Sequence, residues 1–375
     1  MSQYQQCCEC ILDTTDDPKI QFTKKGVCNY CVSYSNQYKD NWPDKASLDN
    51  KLQVQLSEIK LLGKSKPFDC IMGLSGGVDS SYLALKAKEW GLRPLLVHFD
   101  NGWNSELAVQ NINGIVEKTG FELYTYVVDW EEFRDLQLSY IKAGVIDWEV
   151  PTDHGFFAVL HKEASKRGIK SILAGFNHQT EAVLPKNMSW RKQDLANLID
   201  IHDTYGSMKL KTYPTLDFYK YTYYQKVKKM KVYRTLDLIE YHKDESKKEI
   251  KDYFGWKDYG GKHYESIFTR FYQGYVLPTK FKVDKRRAHI SNLIMSGQLT
   301  RDEALKEGTT PPYCDDKMLK EDLAFFLKKM EMSAEEFESI MNAKPKSHLE
   351  YKSYTTGLYV KHENLFKKLN KLRGK

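Results

Sequence analysis

No run of eighteen apolar residues occurs in the 375-residue chain, so no membrane-spanning helix is expected. The opening MSQYQQCCEC lacks the basic and then apolar segments of a secretion signal. The expected location is therefore cytoplasmic. No Gly-x4-Gly-Lys-Ser/Thr loop is present. The nearest approach, Gly255 to Lys262, is one residue too long, follows no clear strand and places His263 where Ser or Thr is required. No internal repeat stands out. A strong excess of one charge is also missing: 57 Lys and Arg oppose 50 Asp and Glu, a net +7. Such a balance suits a phosphate-bearing substrate and permits nucleic acid, and a solvated basic surface explains it equally well. Cysteine is nearly absent outside the N-terminus. Of seven, only Cys70 and Cys314 lie beyond residue 31.

What is present falls into four regions. Residues 1–45 hold Cys7, Cys8, Cys10, Cys28 and Cys31, followed by the turn-forming Asn41-Trp-Pro-Asp44. Residues 46–205 alternate strand-like apolar runs (Phe68–Leu74, Arg93–Phe99, Leu123–Val128, Ser171–Gly175) with helical patterns near Ser80–Trp90, Asn104–Thr119 and His154–Lys166. That alternation predicts an α/β fold with a parallel sheet covered by helices on both faces. Ligands in such sheets dock at the carboxyl ends of the strands. Residues 206–262 are rich in Tyr and Lys and read as an insertion or lid. Residues 263–375 read as mainly helical, with Thr300…Glu303 and Ser333…Glu336 as capping boxes.

The strongest chemical signal is Ser75-Gly76-Gly77-Val78-Asp79-Ser80-Ser81. It follows the buried run Cys70–Leu74 and precedes Tyr82–Leu85, an apolar helical run. Glycines let backbone N–H groups turn toward an anion, and the helix N-terminus adds unpaired donors and a favourable dipole. Ser75, Ser80 and Ser81 offer hydroxyls. Asp79 would repel a phosphate unless a cation intervenes, which points to Mg²⁺. An ordinary glycine turn with a helix cap is the bland alternative.

Other segments stand at predicted strand ends. Val97, His98 and Asp100 end the second strand, although Asp100-Asn-Gly102 also reads as a simple turn. Gly175 and Asn177 end the fourth strand, with Thr180 and Glu181 close behind. Glu181 is the choice for Mg²⁺ or for accepting a proton. Asp153 and His154 stand at a predicted helix start, where Asp153 either caps the helix or meets substrate. Lys262, His263, Arg270, Lys280 and Arg286 sit in aromatic text and are candidates for phosphate neutralisation, Lys262 and Arg270 first.

Cys7-x-x-Cys10 and Cys28-x-x-Cys31, 17 residues apart, read as a four-thiolate zinc ribbon of structural type. An iron–sulfur cluster is the rival, and Cys8 is the spare. No Gly-x-Cys-x-Gly elbow exists, position 2 is Ser, Cys70 falls inside a strand and Cys314 lacks an evident His partner. No activated cysteine nucleophile is therefore expected in this chain.

Ser75–Ser81 resembles the PP-loop of the ATP pyrophosphatase superfamily, which includes asparagine synthetase, GMP synthetase and several tRNA-modifying enzymes. That resemblance implies ATP cleaved to AMP and pyrophosphate through an adenylylated intermediate. Val97–Leu107, Val150–Gly155, Ala174–Glu181, 261–270, Leu277–Phe281 and Asp284–Ser291, together with the cysteines, resemble the N-acetyl sugar amidotransferase family of bacterial surface-polysaccharide biosynthesis. This resemblance covers most of the chain. It implies conversion of a sugar acetamido group to an acetamidino group in LPS, O-antigen or related glycan assembly, on a free or nucleotide-linked sugar. It also implies a glutaminase subunit and a cyclase-like subunit that channels ammonia. Two other readings are a tRNA sulfurtransferase and a non-catalytic nucleotide-binding regulator. Many sulfurtransferases carry Lys where this loop has Val78, and they usually need downstream cysteines that are missing between Cys70 and Cys314. The intact Asp79 and three serines argue against a dead site.

Overall fold

The computed structural model describes residues 4–261, 264–313 and 315–355. Five strands form its centre: β1 Cys70–Gly73, β2 Pro94–Asp100, β3 Leu123–Val127, β4 Ser171–Leu173 and β5 Lys231–Tyr233. They lie in the order β3-β2-β1-β4-β5, every neighbouring pair parallel. The first three strands march outward from β1. The chain then returns past β1 and lays β4 and β5 on its other side. The direction of winding reverses between β1 and β4, and a crevice opens at such a point above the carboxyl ends of the strands.

Side chains two residues apart point to the same face of a strand, and both faces here are covered. Ile71, Leu95, Val97 and Phe99 enter one core with Phe133, Leu136, Trp148 and Val159. Cys70, Met72, Leu74 and Leu96 enter the other with Leu83, Leu85, Ile112 and Ile115. This double burial is why β1 and β2 read as continuous apolar runs. Gly73 ends β1 because a Cβ there would stand 2.2 Å from the ring of Phe156.

The helices start where capping chemistry allows. Ser105 and Asp129 accept backbone N–H bonds at the starts of Glu106–Thr119 and Trp130–Ala143, and Gly120 and Gly144 close the two helices in the left-handed conformation. The helix expected near His154 starts earlier, at Val150, with Pro151 in its first turn. Proline is tolerated there because the first N–H groups have no helical partner. Residues 206–262 are not set apart from the core. They supply β5, and Tyr233, Leu236, Tyr241, Phe254 and Trp256 fill one face of the sheet.

The C-terminal region is helical, as expected. Tyr272–Phe281 is a π-helix containing Pro278, followed by helices Lys285–Met295, Arg301–Thr309, Asp316–Met330 and Ala334–Asn342. Thr300 and Glu303 form the reciprocal capping box. Ser333 accepts the bond from Glu336 N. An aromatic cluster joins this region to the sheet, with ring centroids of Trp103 and Phe268 at 5.2 Å and of Phe271 and Phe326 at 4.8 Å. The N-terminal module rests on the same region. Arg287 pairs with Asp13 and Asp16, and Arg301 donates to the carbonyls of Cys7 and Cys10.

Candidate active site

The loop Ser75–Gly77 leaves the carboxyl end of β1 and enters the helix Val78–Glu89. Gly76 has φ +80°, and a Cβ there would lie 2.7 Å from the carbonyl oxygen of Ala108. The loop is thus a glycine cradle pressed against the start of the neighbouring helix. Trp256 Nε1 donates to Gly76 O at 2.9 Å and fixes the carbonyl away from the loop interior. Ser75 Oγ accepts from Gly77 N at 3.2 Å and lies 3.2 Å from Ser80 Oγ. Ser81 is buried and donates to Gly77 O at 2.7 Å. Its hydroxyl shapes the loop from beneath. Ser75 is exposed, and the half-buried Ser80 also donates to Gly77 O at 3.1 Å. Glycine backbone, two hydroxyls and a twelve-residue helix N-terminus make a setting that fits a pyrophosphate group.

Asp79 stands in the first turn of that helix. Its Oδ1 accepts from Asn177 Nδ2 at 3.1 Å and from Tyr241 Oη at 2.5 Å. Asn177 is fully buried, and its Oδ1 accepts from Thr180 N and Thr180 Oγ1 at 2.9 and 3.0 Å. One amide therefore caps the short helix His178–Glu181 and orients Asp79 at the same time. Gly175 follows β4 beside the start of this helix, where a Cβ would make only an ordinary contact, 3.7 Å, with Ser80 N. Burial, and then the charge of Asp79, push the Tyr241 phenol well above its usual pKa, so it remains a donor. Oriented in this way, Asp79 fits Mg²⁺, which takes one or two carboxylates and completes its shell with phosphate oxygens and water. The charge of Glu181 also raises the Tyr241 phenol.

At the end of β2, His98 joins two strand ends. Its Nδ1 lies 2.9 Å from Leu74 O and its Nε2 lies 3.0 Å from Asn104 Nδ2. The carbonyl requires a proton on Nδ1, so Nε2 is the acceptor. Asp100 Oδ1 accepts from Gly102 N at 2.9 Å and from Asn104 Nδ2 at 3.1 Å. The Asp100–Gly102 turn is real, and it also anchors the crevice wall. Val97 is a core residue whose carbonyl takes Leu74 N at 2.8 Å.

Several residues expected at the site are engaged elsewhere. Arg270 makes a bidentate pair with Asp322, both contacts at 2.7 Å, and so its charge is already neutralised. Lys280 is buried and donates to Ala343 O at 2.7 Å and to Ile340 O, capping the C-terminus of Ala334–Asn342. Arg286 is held by Asp284 and by the carbonyls of Thr310 and Pro311. His154 is buried between Lys192 O at 2.8 Å and Leu216 N at 3.1 Å, and burial holds its pKa below the usual value. It is a neutral strut. Asp153 is not the helix cap but a first-turn residue paired with Lys192 at 3.0 Å. Lys192 also holds the fully buried Asp147 at 2.7 Å. Burial raises the Asp147 carboxyl, but the charges of Lys192 and Lys285 outweigh it and leave it at about 2. Lys262, His263 and Cys314 lie outside the described residues. Cys70 is buried in β1, where burial raises its thiol pKa, which fits a core residue and not a nucleophile.

Sequence reasoning missed Tyr241, Asn104, Trp256, Tyr259 and Glu265. Tyr259 Oη accepts from Val78 N at 3.2 Å. Glu265 Oε1 lies 3.0 Å from where a Cβ on Gly77 would stand. Only Asn104 and Glu265 fell within the segments that carry the family resemblance. Nothing in the local text around Tyr241 or Trp256 marks them.

The sulfurs of Cys7, Cys10, Cys28 and Cys31 all lie within 4.8 Å of one another and are buried. Cys7 and Cys31 are 3.8 Å apart, and Cys10 and Cys28 are 3.7 Å apart. A tetrahedral metal with four thiolates at about 2.3 Å requires sulfurs about 3.8 Å apart, so the set fits one. Backbone N–H groups of Glu9, Cys10 and Cys28 point at Cys7 Sγ at 3.2 to 3.5 Å. Cys8 is exposed and donates to Lys25 O, outside the set.

Residues 265–369 match the family model of the LPS biosynthesis protein WbpG-like, C-terminal domain. The matched segment is similar to that family's C-terminal domain. It includes Glu265, Arg270, the π-helix and the helices that carry the N-terminal module. Among curated proteins, nothing matches the chain. Among solved structures it is similar to NMN synthetase from Francisella tularensis, with 13% identity and a TM-score of 0.35 over 78% of this chain and 98% of that one. It is also similar to NH3-dependent NAD synthetase from Campylobacter jejuni, with 12% identity and a TM-score of 0.29 over 44% of this chain and 80% of that one. A predicted subunit of a tRNA methyltransferase from Methanocaldococcus jannaschii gives 12% identity and a TM-score of 0.29 over 49% and 75%. Among the described residues, no helix is long and apolar enough to cross a membrane.

Proposed function

We propose that the chain is an ATP-dependent amidotransferase that converts a sugar acetamido group to an acetamidino group in surface-glycan biosynthesis. The observation that carries the ATP half of this reading is the Ser75–Ser81 loop at the winding reversal, with Asp79 held by Asn177 and Tyr241. The glycan half is supported by the match of residues 265–369 to an LPS biosynthesis family. The acetamidino product itself rests on the sequence resemblance.

In this reading the acetamido oxygen attacks the α-phosphorus of ATP, and the bond to the β,γ-pyrophosphate breaks. The glycine loop, with Ser75 and Ser80, holds the departing pyrophosphate where its charge develops. Mg²⁺, when bound, would neutralise that charge beside Asp79. Ammonia then adds to the activated carbon and loses a proton, for which Glu181 is the proposed acceptor. AMP departs with the former acetamido oxygen and leaves the amidinium, C=NH2+, in place of C=O; loss of a second proton to water gives C=NH. An oxygen that leaves poorly as hydroxide thus leaves as AMP. The four-cysteine module would hold a structural Zn²⁺, since four thiolates leave no open coordination position for chemistry. Ammonia would come from a separate glutaminase, through a cyclase-like companion.

The test supplies ATP, Mg²⁺, ammonium and a panel of nucleotide-linked acetamido sugars, with products read by mass spectrometry. The expected result is one sugar that exchanges oxygen for NH, with AMP and pyrophosphate formed in equal amounts. AMP formed only in the presence of tRNA would transfer the chain to the sulfurtransferase reading.

A further inference from the structure

We propose that the helix Phe218–Lys226 and the strand that follows it are a docking surface for a protein partner whose contact face is an apolar stripe bordered by carboxylates. This inference does not depend on the reaction assigned above.

Three observations carry it. First, Tyr219, Tyr223 and Val227 are 58%, 45% and 63% exposed, although all three are large and apolar. They recur every fourth residue, and Val227 continues the helical conformation beyond Lys226. Residues so spaced stand about 6 Å apart on one helix face. The opposite face is already used, because Tyr221 and Tyr224 pack on Phe157 and His161. The exposed stripe is therefore a second apolar face, not the core face turned outward. Second, Val232 is 47% exposed on β5, which pairs with β4 on one side only and forms an edge of the sheet. Third, residues 218–234 contain five Lys, one Arg and no Asp or Glu, in a chain whose whole net charge is +7. Lys231 is paired with Glu58 and Arg234 with Asp237. Lys220, Lys226, Lys228 and Lys229 are exposed around the stripe.

An apolar seam rimmed by one charge recognises a seam rimmed by the other, the rim setting encounter and register and the seam supplying burial. The composition favours protein over nucleic acid. Two of the four exposed apolar groups are valines, which cannot stack on bases. The one arginine, Arg234, is spent on Asp237 and on the ring of Phe176.

The test places a photo-cross-linking amino acid at position 223, and as a control at exposed position 127 on β3, the opposite edge of the sheet from β5, in the full chain expressed in its own cells. The expected result is one cross-linked protein from position 223 and not from 127. The peptide bearing the cross-link should carry more Asp and Glu than Lys and Arg. Yield should fall at least about tenfold when Lys220, Lys226 and Lys228 are changed to Glu, with the thermal melt unchanged, as expected for a charge-steered contact. A cross-link to nucleic acid or lipid overturns the proposal. So does an acid-poor peptide, an unchanged yield in the charge variant, or no cross-link at position 223.

Discussion

Replacing Gly76 by Ala tests the phosphate loop most sharply, because the structure supplies its own control. Gly76 and Gly120 both adopt left-handed backbone, with φ +80° and +69°. An Ala at either site meets the same conformational penalty, about 1 to 2 kcal/mol. They differ in what the new methyl group touches. At Gly120 nothing lies within 4 Å, whereas at Gly76 the carbonyl oxygen of Ala108 stands 2.7 Å away and is backbone. A forced backbone shift adds about 1 to 3 kcal/mol. Gly76→Ala should therefore be about 1 to 3 kcal/mol less stable than Gly120→Ala. For 375 residues that is roughly 1 to 4 °C in Tm, given about 2 cal/mol/K of unfolding entropy per residue. Gly76→Ala should also lose ATP affinity, because the shift moves the donors at Gly77 and Val78, while Gly120→Ala keeps it. Parallel thermal melts and equilibrium ATP binding decide the matter. Equal melts would refute the close approach to Ala108. Unchanged ATP affinity in Gly76→Ala would refute the assignment of the loop.

The remaining expectations concern neighbouring features. Tyr241→Phe removes a hydrogen bond to a carboxylate, a loss of about 1.5 to 3 kcal/mol. It should raise the Mg²⁺ concentration needed for half-maximal pyrophosphate release about tenfold or more, and an unchanged Mg²⁺ dependence would show that Asp79 is not oriented by the phenol. One metal ion per chain should be found, retained by Cys8→Ser and lost by Cys28→Ser. The reverse pattern would put the ligand set in a different register. Burial lowers His348 to about 4, against about 6.5 in the unfolded chain. The unfolded state then binds the extra proton first, so stability should fall as pH drops from 6.5 to 4, by about 3 kcal/mol in all. His348→Gln should flatten that slope, and identical slopes would contradict it.

How much was legible depended on whether the signal was local. The Ser75–Ser81 loop, the four strands set in apolar text and the cysteine pairs each show their pattern within a few adjacent residues, and all were readable. β5 was not, because Lys231-Val-Tyr233 lies in Lys-rich text and offers no apolar run, whereas the equally short β4 lies in Ser171-Ile-Leu-Ala-Gly175. Arg270, Lys280 and Arg286 have partners that the sequence did not announce, for a related reason. A single Arg or Lys announces charge but not its partner, and the partners of Arg270 and Lys280 lie 52 and at least 60 residues away. Tyr241 reaches Asp79 across 162 residues, a pairing that only the folded sheet creates. The cysteine cluster escaped this difficulty because two Cys-x-x-Cys pairs name one another by spacing alone.

The account stands on cleavage of ATP between its α and β phosphates at the Ser75–Ser81 loop. The direct measurement is nucleotide analysis after turnover with ammonium and the accepting sugar, for the unaltered chain and for Asp79→Ala with its fold verified. The account predicts AMP and pyrophosphate in equal amounts from the first and neither from the second. ADP and inorganic phosphate from the unaltered chain, or full activity in Asp79→Ala, would contradict it.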